Sequence, residues 1–133
     1  QDKFHEVRMN YCELDRVTFT LCDLKIFDFG NFKGNVLFNN CIIEKLYLLN
    51  PVSADELTSL TFKNCQVKWL EIHSKEKNVG HAINIEFIGS DISTLIIDNT
   101  LFNDFLLRNC IYTEYCLDEQ HVKNHLKTNC QKK

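Results

Sequence analysis

The stretch that decides the fold is LTSLTFKNCQVKWLEI, residues 57–72 of a 133-residue chain. Its apolar positions are separated alternately by three and two residues: Leu57, Leu60, Phe62, Cys65, Val67, Leu70 and Ile72. An amphipathic helix has a period of 3.6 residues and a half-buried strand a period of two, so the stretch fits neither. Alternating intervals are typical of a coil in which short strands alternate with tight corners, and such a coil must repeat along the chain.

The same rhythm does repeat along most of the chain. One strand position is marked by five apolar pairs at spacings of 19, 24, 25 and 20 residues: Val17/Phe19, Val36/Phe38, Leu60/Phe62, Ile85/Phe87 and Phe105/Leu107. A second is marked by four pairs at spacings of 19, 24 and 25: Phe27/Phe29, Leu46/Leu48, Leu70/Ile72 and Leu95/Ile97. A repeat of this length is the signature of a solenoid. We therefore predict a mainly β fold, a right-handed parallel β-solenoid of about five turns with two parallel ladders.

A column of small residues is predicted at the corner between the two strands of each turn. These residues are Cys22, Cys41, Cys65, Ser90 and Cys110. A tight inner corner needs small, weakly polar side chains, and buried cysteine behaves as a small hydrophobe. We expect these cysteines to be buried free thiols.

Two polar segments interrupt the rhythm and are interpreted as insertions, residues 50–56 and 73–81. Both follow a strand of the second ladder, so both should leave the solenoid at the same edge. Insertions on one side of a repeat protein commonly form its recognition surface. Trp69 should point outward and either anchor a partner or pack beneath the second insertion. The predicted binding residues are Trp69, Asn50, Pro51, Lys75, Glu76, Lys77 and His81.

The last 21 residues depart from the alternation of three- and two-residue intervals. Within them, residues 117–128 have acidic residues near the start and Lys123 and Lys127 near the end, which suits a helix dipole. We predict a solenoid over residues 1–112 and a helical C-terminal cap over residues 113–133. No matching cap precedes Phe4, so we expect an N-terminal domain of the same chain to be missing, with residues 1–112 belonging to the C-terminal part of a longer protein.

The repeat units resemble a known pattern. Residues 57–67 and 102–112 follow LxxLxLxxN/CxL, which is similar to a leucine-rich repeat. Phe-rich units with Asn-Cys corners most resemble the irregular repeats of secreted insect proteins, namely mosquito leucine-rich immune proteins and TRIO-type salivary proteins. The resemblance covers roughly residues 4–112. It implies a secreted, non-enzymatic domain in saliva or innate immunity that binds a host or pathogen protein through a solenoid edge.

An alternative resemblance is to pentapeptide repeats. Four five-residue units run from Cys12 to residue 31, beginning at Cys12, Val17, Cys22 and Phe27. Phe27 is larger than the small inward residue of that family, and the longer turns break its period. On this reading the solenoid is purely structural and supports a missing N-terminal domain.

Composition and motifs exclude several classes of function. A net charge of −3 argues against a nucleic-acid partner, and no apolar run is long enough to cross a membrane. Cys116, His121, His125 and Cys130 fit no zinc motif, so we predict no metal, no cofactor and no catalytic residues. A bridge among Cys110, Cys116 and Cys130 is the alternative, although seven cysteines leave at least one thiol unpaired. A polysaccharide lyase on a parallel β-helix is disfavoured because such enzymes use a much longer coil.

Overall fold

A computed structural model describes residues 2–10, 13–30, 33–49, 58–74 and 83–133. These residues form fifteen strands and one short 3-10 turn, Glu119–His121. The strands are β1 Asp2–Asn10, β2 Glu13–Thr20, β3 Cys22–Gly30, β4 Lys33–Asn39, β5 Ile42–Leu49, β6 Thr58–Lys63, β7 Gln66–Val67, β8 Leu70–His73, β9 Ile83–Ile88, β10 Asp91–Ile92, β11 Leu95–Asp98, β12 Phe102–Arg108, β13 Ile111–Tyr112, β14 Val122–Thr128 and β15 Gln131–Lys132.

The strands form two sheets that face each other across the core. Sheet 1 has nine strands in the order β1-β3-β5-β7-β10-β13-β15, with β8 and β11 continuing the lines of β7 and β10. Sheet 2 has six strands in the order β2-β4-β6-β9-β12-β14. The paired strands are parallel throughout. The chain is thus a parallel β-solenoid of about five turns, as the rhythm predicted.

The registers confirm the predicted repeat residue by residue. In sheet 2, Phe38 pairs with Phe62 and Phe62 with Phe87. In sheet 1, Leu46 pairs with Leu70 and Leu70 with Leu95. Insertions of four or five residues between strands therefore leave the stacking of successive turns unchanged.

Phenylalanine rings fill the interior. Phe38, Phe62 and Phe87 are fully buried and stack along the solenoid axis, with centroid separations of 5.1 and 4.8 Å and interplanar angles of 7° and 11°. Phe27 from sheet 1 meets Phe38 edge-to-face at 5.6 Å. Offset stacks and edge-to-face pairs are the favoured aromatic geometries, and they add to the stabilisation from burial alone.

The corner after each strand of sheet 2 has the same backbone conformation in every turn. Its first residue has a φ between 51° and 59°, a left-handed conformation; these residues are Leu21, Asn40, Asn64, Gly89, Asn109 and Asn129. Asparagine and glycine tolerate this conformation best, which explains the recurring Asn-Cys pairs. The next residue points inward, and the thiol of Cys65 donates to the carbonyls of Phe38 and Lys63. Ser90 makes the equivalent bonds with its hydroxyl, so the predicted corner column is confirmed.

Replacement of Asn109 by alanine should therefore destabilise the protein. Alanine at a φ of 54° carries a penalty of about 1–2 kcal/mol, and the bond from Asn129 Nδ2 to Asn109 Oδ1 (2.7 Å) is lost as well. Asn109→Gly is the matched control, because glycine accepts this conformation without steric cost and Gly89 already occupies the equivalent corner. Urea unfolding should rank wild type above Asn109→Gly and both above Asn109→Ala. Equal stability of the two variants would contradict the role assigned to the left-handed corner.

The predicted C-terminal helix is wrong. The only helical element described there is the 3-10 turn, in which Gln120 N donates to Asp118 Oδ1 (2.9 Å). It is followed by two further strands, β14 and β15. Strand β14 pairs with β12 from Phe102↔Val122 to Arg108↔Thr128. The ladder with β12 and the Asn129-Cys130 corner stabilise the strand more than the placement of charges would stabilise a helix. A short surface helix gains little free energy from its dipole.

The second predicted insertion begins later than expected. His73 is the last residue of β8 and Ser74 is buried, with its Oγ 2.9 Å from Thr100 Oγ1 in the next turn. The two interruptions of the strand pattern thus follow Leu49 and Ser74, and Leu49 pairs with His73. Both connections therefore start at the same edge of the solenoid, as predicted. Within the described part of the chain, no helix has the length and apolar character needed to span a bilayer.

Candidate interaction surface

Trp69 lies on the outer face of sheet 1, between β7 and β8. The residues on either side of it in the chain are an exposed Lys68 and a fully buried Leu70. The backbone carbonyl of Trp69 accepts a hydrogen bond from Leu46 N (2.8 Å), which fixes the residue in the ladder. The side chain is half-buried and does not belong to the core cluster. The prediction that Trp69 points away from the core is confirmed.

Two apolar residues, Tyr47 and Ile96, lie near Trp69 on this face of sheet 1. Tyr47 pairs with Glu71, and Glu71 pairs with Ile96, so these three residues form one row across sheet 1. Trp69 lies two residues before Glu71 and therefore on the same face. Ile96 is exposed, and Tyr47 is half-buried. We call Tyr47, Trp69 and Ile96 the outer patch.

Two polar atoms beside the outer patch lack hydrogen-bond partners among the described residues. They are Nε1 of Trp69 and Oδ1 of Asp28, and both are shielded from solvent. Asp28 pairs with Tyr47 in the ladder, so the two atoms belong to the same region of sheet 1. A shielded polar atom without a partner costs free energy. The described residues thus leave this donor and this acceptor unsatisfied.

The other predicted binding residues lie outside the described part of the chain. These are Asn50, Pro51, Lys75, Glu76, Lys77 and His81. The described residues that flank them show that both segments leave sheet 1 and return to sheet 2 at one edge, where Leu49 pairs with His73 and Thr58 with Ile83. Trp69 is four residues from His73, or roughly 13 Å along the strand.

A cleft that the sequence did not predict lies at the β15 end of the solenoid. It has a volume of about 530 Å3 and is lined by Ile97, Asp98, Asn99, Tyr115, Cys116, Leu117, Asp118 and His121. Two of its carboxylates lie close to histidines. Asp98 Oδ2 is 2.8 Å from His73 Nδ1, and Asp118 Oδ2 is 4.0 Å from His121 Nε2. The cleft therefore combines a thiol, carboxylates and imidazoles near its wall.

Three hydrogen-bonded polar side chains cover the end of the core beside this cleft. His125 Nε2 is 2.7 Å from Tyr115 Oη, and His125 Nδ1 is 3.2 Å from Glu119 Oε1. His125 stands where the preceding turn has the buried Phe105. Burial raises the pKa of the Tyr115 hydroxyl, and the neighbouring Tyr112, Cys130, Glu119 and Glu114 add to the shift. These three side chains thus form a hydrogen-bonded polar cluster on the last turn of the solenoid.

The predicted disulfide among Cys110, Cys116 and Cys130 is corrected to three free thiols. Cys110 belongs to the corner column and its Sγ donates to the carbonyls of Phe87 and Arg108. Cys130 continues that column one turn further on, whereas Cys116 is exposed on the connection to the 3-10 turn. Cys41 and Cys65 are free thiols as well, as the packing argument predicted. Among the described residues no three histidine, cysteine or acidic side chains gather as metal ligands.

Comparisons with known proteins give no relative: no protein-family model, no curated protein and no solved structure matches this chain.

Proposed function

We propose that this chain is a non-enzymatic protein-interaction domain of a secreted protein, and that it binds its partner through the outer patch and the adjoining edge of the solenoid. The resemblance of its repeats to insect immune and salivary proteins suggests a host or pathogen protein as the partner. The observation that carries the proposal is the outer patch itself, three large apolar side chains on the outer face of sheet 1.

The chemistry of the outer patch suits protein recognition. Tryptophan and tyrosine are enriched among the residues that dominate binding energy, and such residues are commonly ringed by polar groups. Here Glu71 and Asp28 stand beside Tyr47 in the ladder, and Lys45 is exposed on the same strand.

An alternative function has its own support at the β1 end. The inward residues of the first turn are apolar and partly exposed, with Phe4 41% accessible. A structural solenoid that supports an N-terminal domain would cover these residues with that domain. This alternative, including its pentapeptide-repeat form, assigns no role to the outer patch.

The proposal is tested by capture from host plasma and from insect haemolymph on the immobilised protein. Trp69→Ala should weaken binding of the captured partner by about tenfold or more, because it removes the central aromatic contact. Deletion of residues 75–80 should weaken it as well if the solenoid edge takes part. Surface plasmon resonance with the isolated partner measures both effects.

Leu126→Ala is the matched control, since Leu126 is an exposed apolar residue (59% accessible) on sheet 2. It should bind as the wild type does, and melting curves should show that all variants are folded. A partner whose affinity is unchanged by both Trp69→Ala and the deletion would refute the proposed surface.

A further inference from the structure

Two carboxylates flank Tyr47 on the outer face of sheet 1. The register of this row runs from Asp28 to Tyr47, then to Glu71 and Ile96. Asp28 and Glu71 are therefore two strand spacings, about 9.6 Å, apart, with the tyrosine between them. Trp69 lies two residues before Glu71 and on the same face. Both aromatic residues and both carboxylates are half-buried, so the four side chains share one small area of the surface.

The charge of this area is negative. In the described part of the chain, neither Asp28 nor Glu71 forms an ion pair. Arg8, the ladder neighbour of Asp28, is bonded to Glu6 instead, with Nη2 2.6 Å from Oε1. With His73 counted as neutral, the row of Tyr47 and the two rows beside it hold four carboxylates and two cations: Glu6, Asp28, Glu71 and Asp98 against Arg8 and Lys45.

An aromatic ring beside a carboxylate suits a guanidinium group. A guanidinium is planar, so it stacks on an aromatic face while its N–H groups donate two parallel hydrogen bonds to a carboxylate. Tyr47 and Glu71 are direct ladder partners, about 4.8 Å apart between their backbones, so one planar group can contact both side chains. A lysine ammonium is a compact, strongly hydrated charge and lacks the stacking face. An apolar or acidic partner would bury Glu71 without a counter-charge, which costs free energy.

We infer that the outer patch binds an arginine side chain of the partner protein, with the guanidinium stacked on Tyr47 beside Trp69 and bonded to Glu71. Asp28, on the other side of Tyr47, adds to the attraction. This assignment rests on the proposed function, because it takes the outer patch as the contact surface, and it adds the chemistry of the partner. Arginine is also among the residue types that dominate binding energy at protein interfaces.

Trp69 is the only tryptophan of the chain, so its fluorescence and its indole N–H resonance report on the patch alone. The probe is a blocked tripeptide with arginine between two glycines. It should shift the indole resonance along a saturable curve with a Kd on the order of 1 mM, because it supplies a single contact. The same peptide with citrulline, a neutral isostere of arginine, should give no saturable shift, and the lysine peptide should bind at least about threefold more weakly. Raising the salt from about 50 to about 500 mM should weaken the arginine peptide several-fold.

Variants locate the contact. Glu71→Gln keeps the shape of the side chain and removes its charge, so it should weaken the arginine peptide by about fivefold or more. Tyr47→Leu should weaken it by a similar factor, because the stacking face is lost. Glu86→Gln is the matched control, since Glu86 is a half-buried carboxylate on the outer face of sheet 2. It should bind as the wild type does, and melting curves should show that all variants are folded.

The inference is overturned by equal shifts with the arginine and citrulline peptides, by equal binding of the lysine peptide, or by unchanged binding to Glu71→Gln. Failure of this inference is distinguishable from failure of the proposed function. A captured partner whose affinity falls with Trp69→Ala but not with Glu71→Gln would overturn the arginine contact and leave the proposed function intact. An arginine peptide that binds as described, with no captured partner that depends on Trp69, would support the arginine site and refute the proposed function.

Discussion

Replacement of Phe62 by alanine should lower the free energy of unfolding by about 4 kcal/mol. Phe62 is fully buried and stacks between Phe38 and Phe87, so its removal opens a cavity in the middle of the ring column. Truncation of a buried phenylalanine typically costs about 3–5 kcal/mol, and loss of two ring contacts keeps this site away from the lower end of that range. Urea unfolding followed by fluorescence and circular dichroism measures the loss.

Two controls separate cavity formation from a general effect of substitution. Phe62→Leu should cost only about 1–2 kcal/mol, because leucine keeps most of the volume and Leu107 already occupies the same ladder position two turns later. Leu126→Ala, at an exposed site, should stay within about 0.5 kcal/mol of the wild type. A loss below about 1 kcal/mol for Phe62→Ala would mean that the aromatic column does not carry the stability of the core.

The corner thiols should make the protein less stable at alkaline pH. Burial raises the pKa of Cys65 from 9.0 to about 11, and burial also raises the pKa of Cys110. The folded state therefore holds these protons more tightly than the unfolded state does. The stability from Cys65 is complete below pH 9 and is lost as the pH rises from 9 towards 11, by about 2 kcal/mol at pH 10.5.

Cys65→Ser isolates this effect, because serine does not titrate in this range and Ser90 shows that a hydroxyl fits the column. The difference in unfolding free energy between wild type and Cys65→Ser should change by about 2 kcal/mol between pH 8 and pH 10.5, to the disadvantage of the wild type. Both proteins are measured with a reductant that is stable in base. Parallel pH profiles would show that the Cys65 thiol is not buried as described.

The repeat was predictable from sequence because inward residues recur at fixed intervals in every turn. Phe38, Phe62 and Phe87 have the spacing of the ladder, and insertions placed between strands do not disturb it. The last turn was missed because His125 and Lys127 stand where an apolar residue was required. Its signal was still present in Thr128-Asn129-Cys130, which repeats the corner of the earlier turns.

The candidate surface was only partly predictable. Alternation along the strand predicted that Trp69 points outward, but the row that brings Tyr47 and Ile96 beside it depends on the stagger between turns. The contact of His125 with Tyr115 and Glu119 was not predictable for a related reason. It requires that residues 122–128 form a strand, and the arrangement of charges in this segment favours a helix.

The most direct test of the account is the pattern of nuclear Overhauser contacts in the uniformly labelled protein. A parallel solenoid predicts cross-strand backbone contacts from Phe62 to both Phe38 and Phe87, and from Leu107 to Lys127 in the last turn. Sequential amide–amide contacts over residues 117–128, with none between Leu107 and Lys127, would show a helical tail and contradict the described fold.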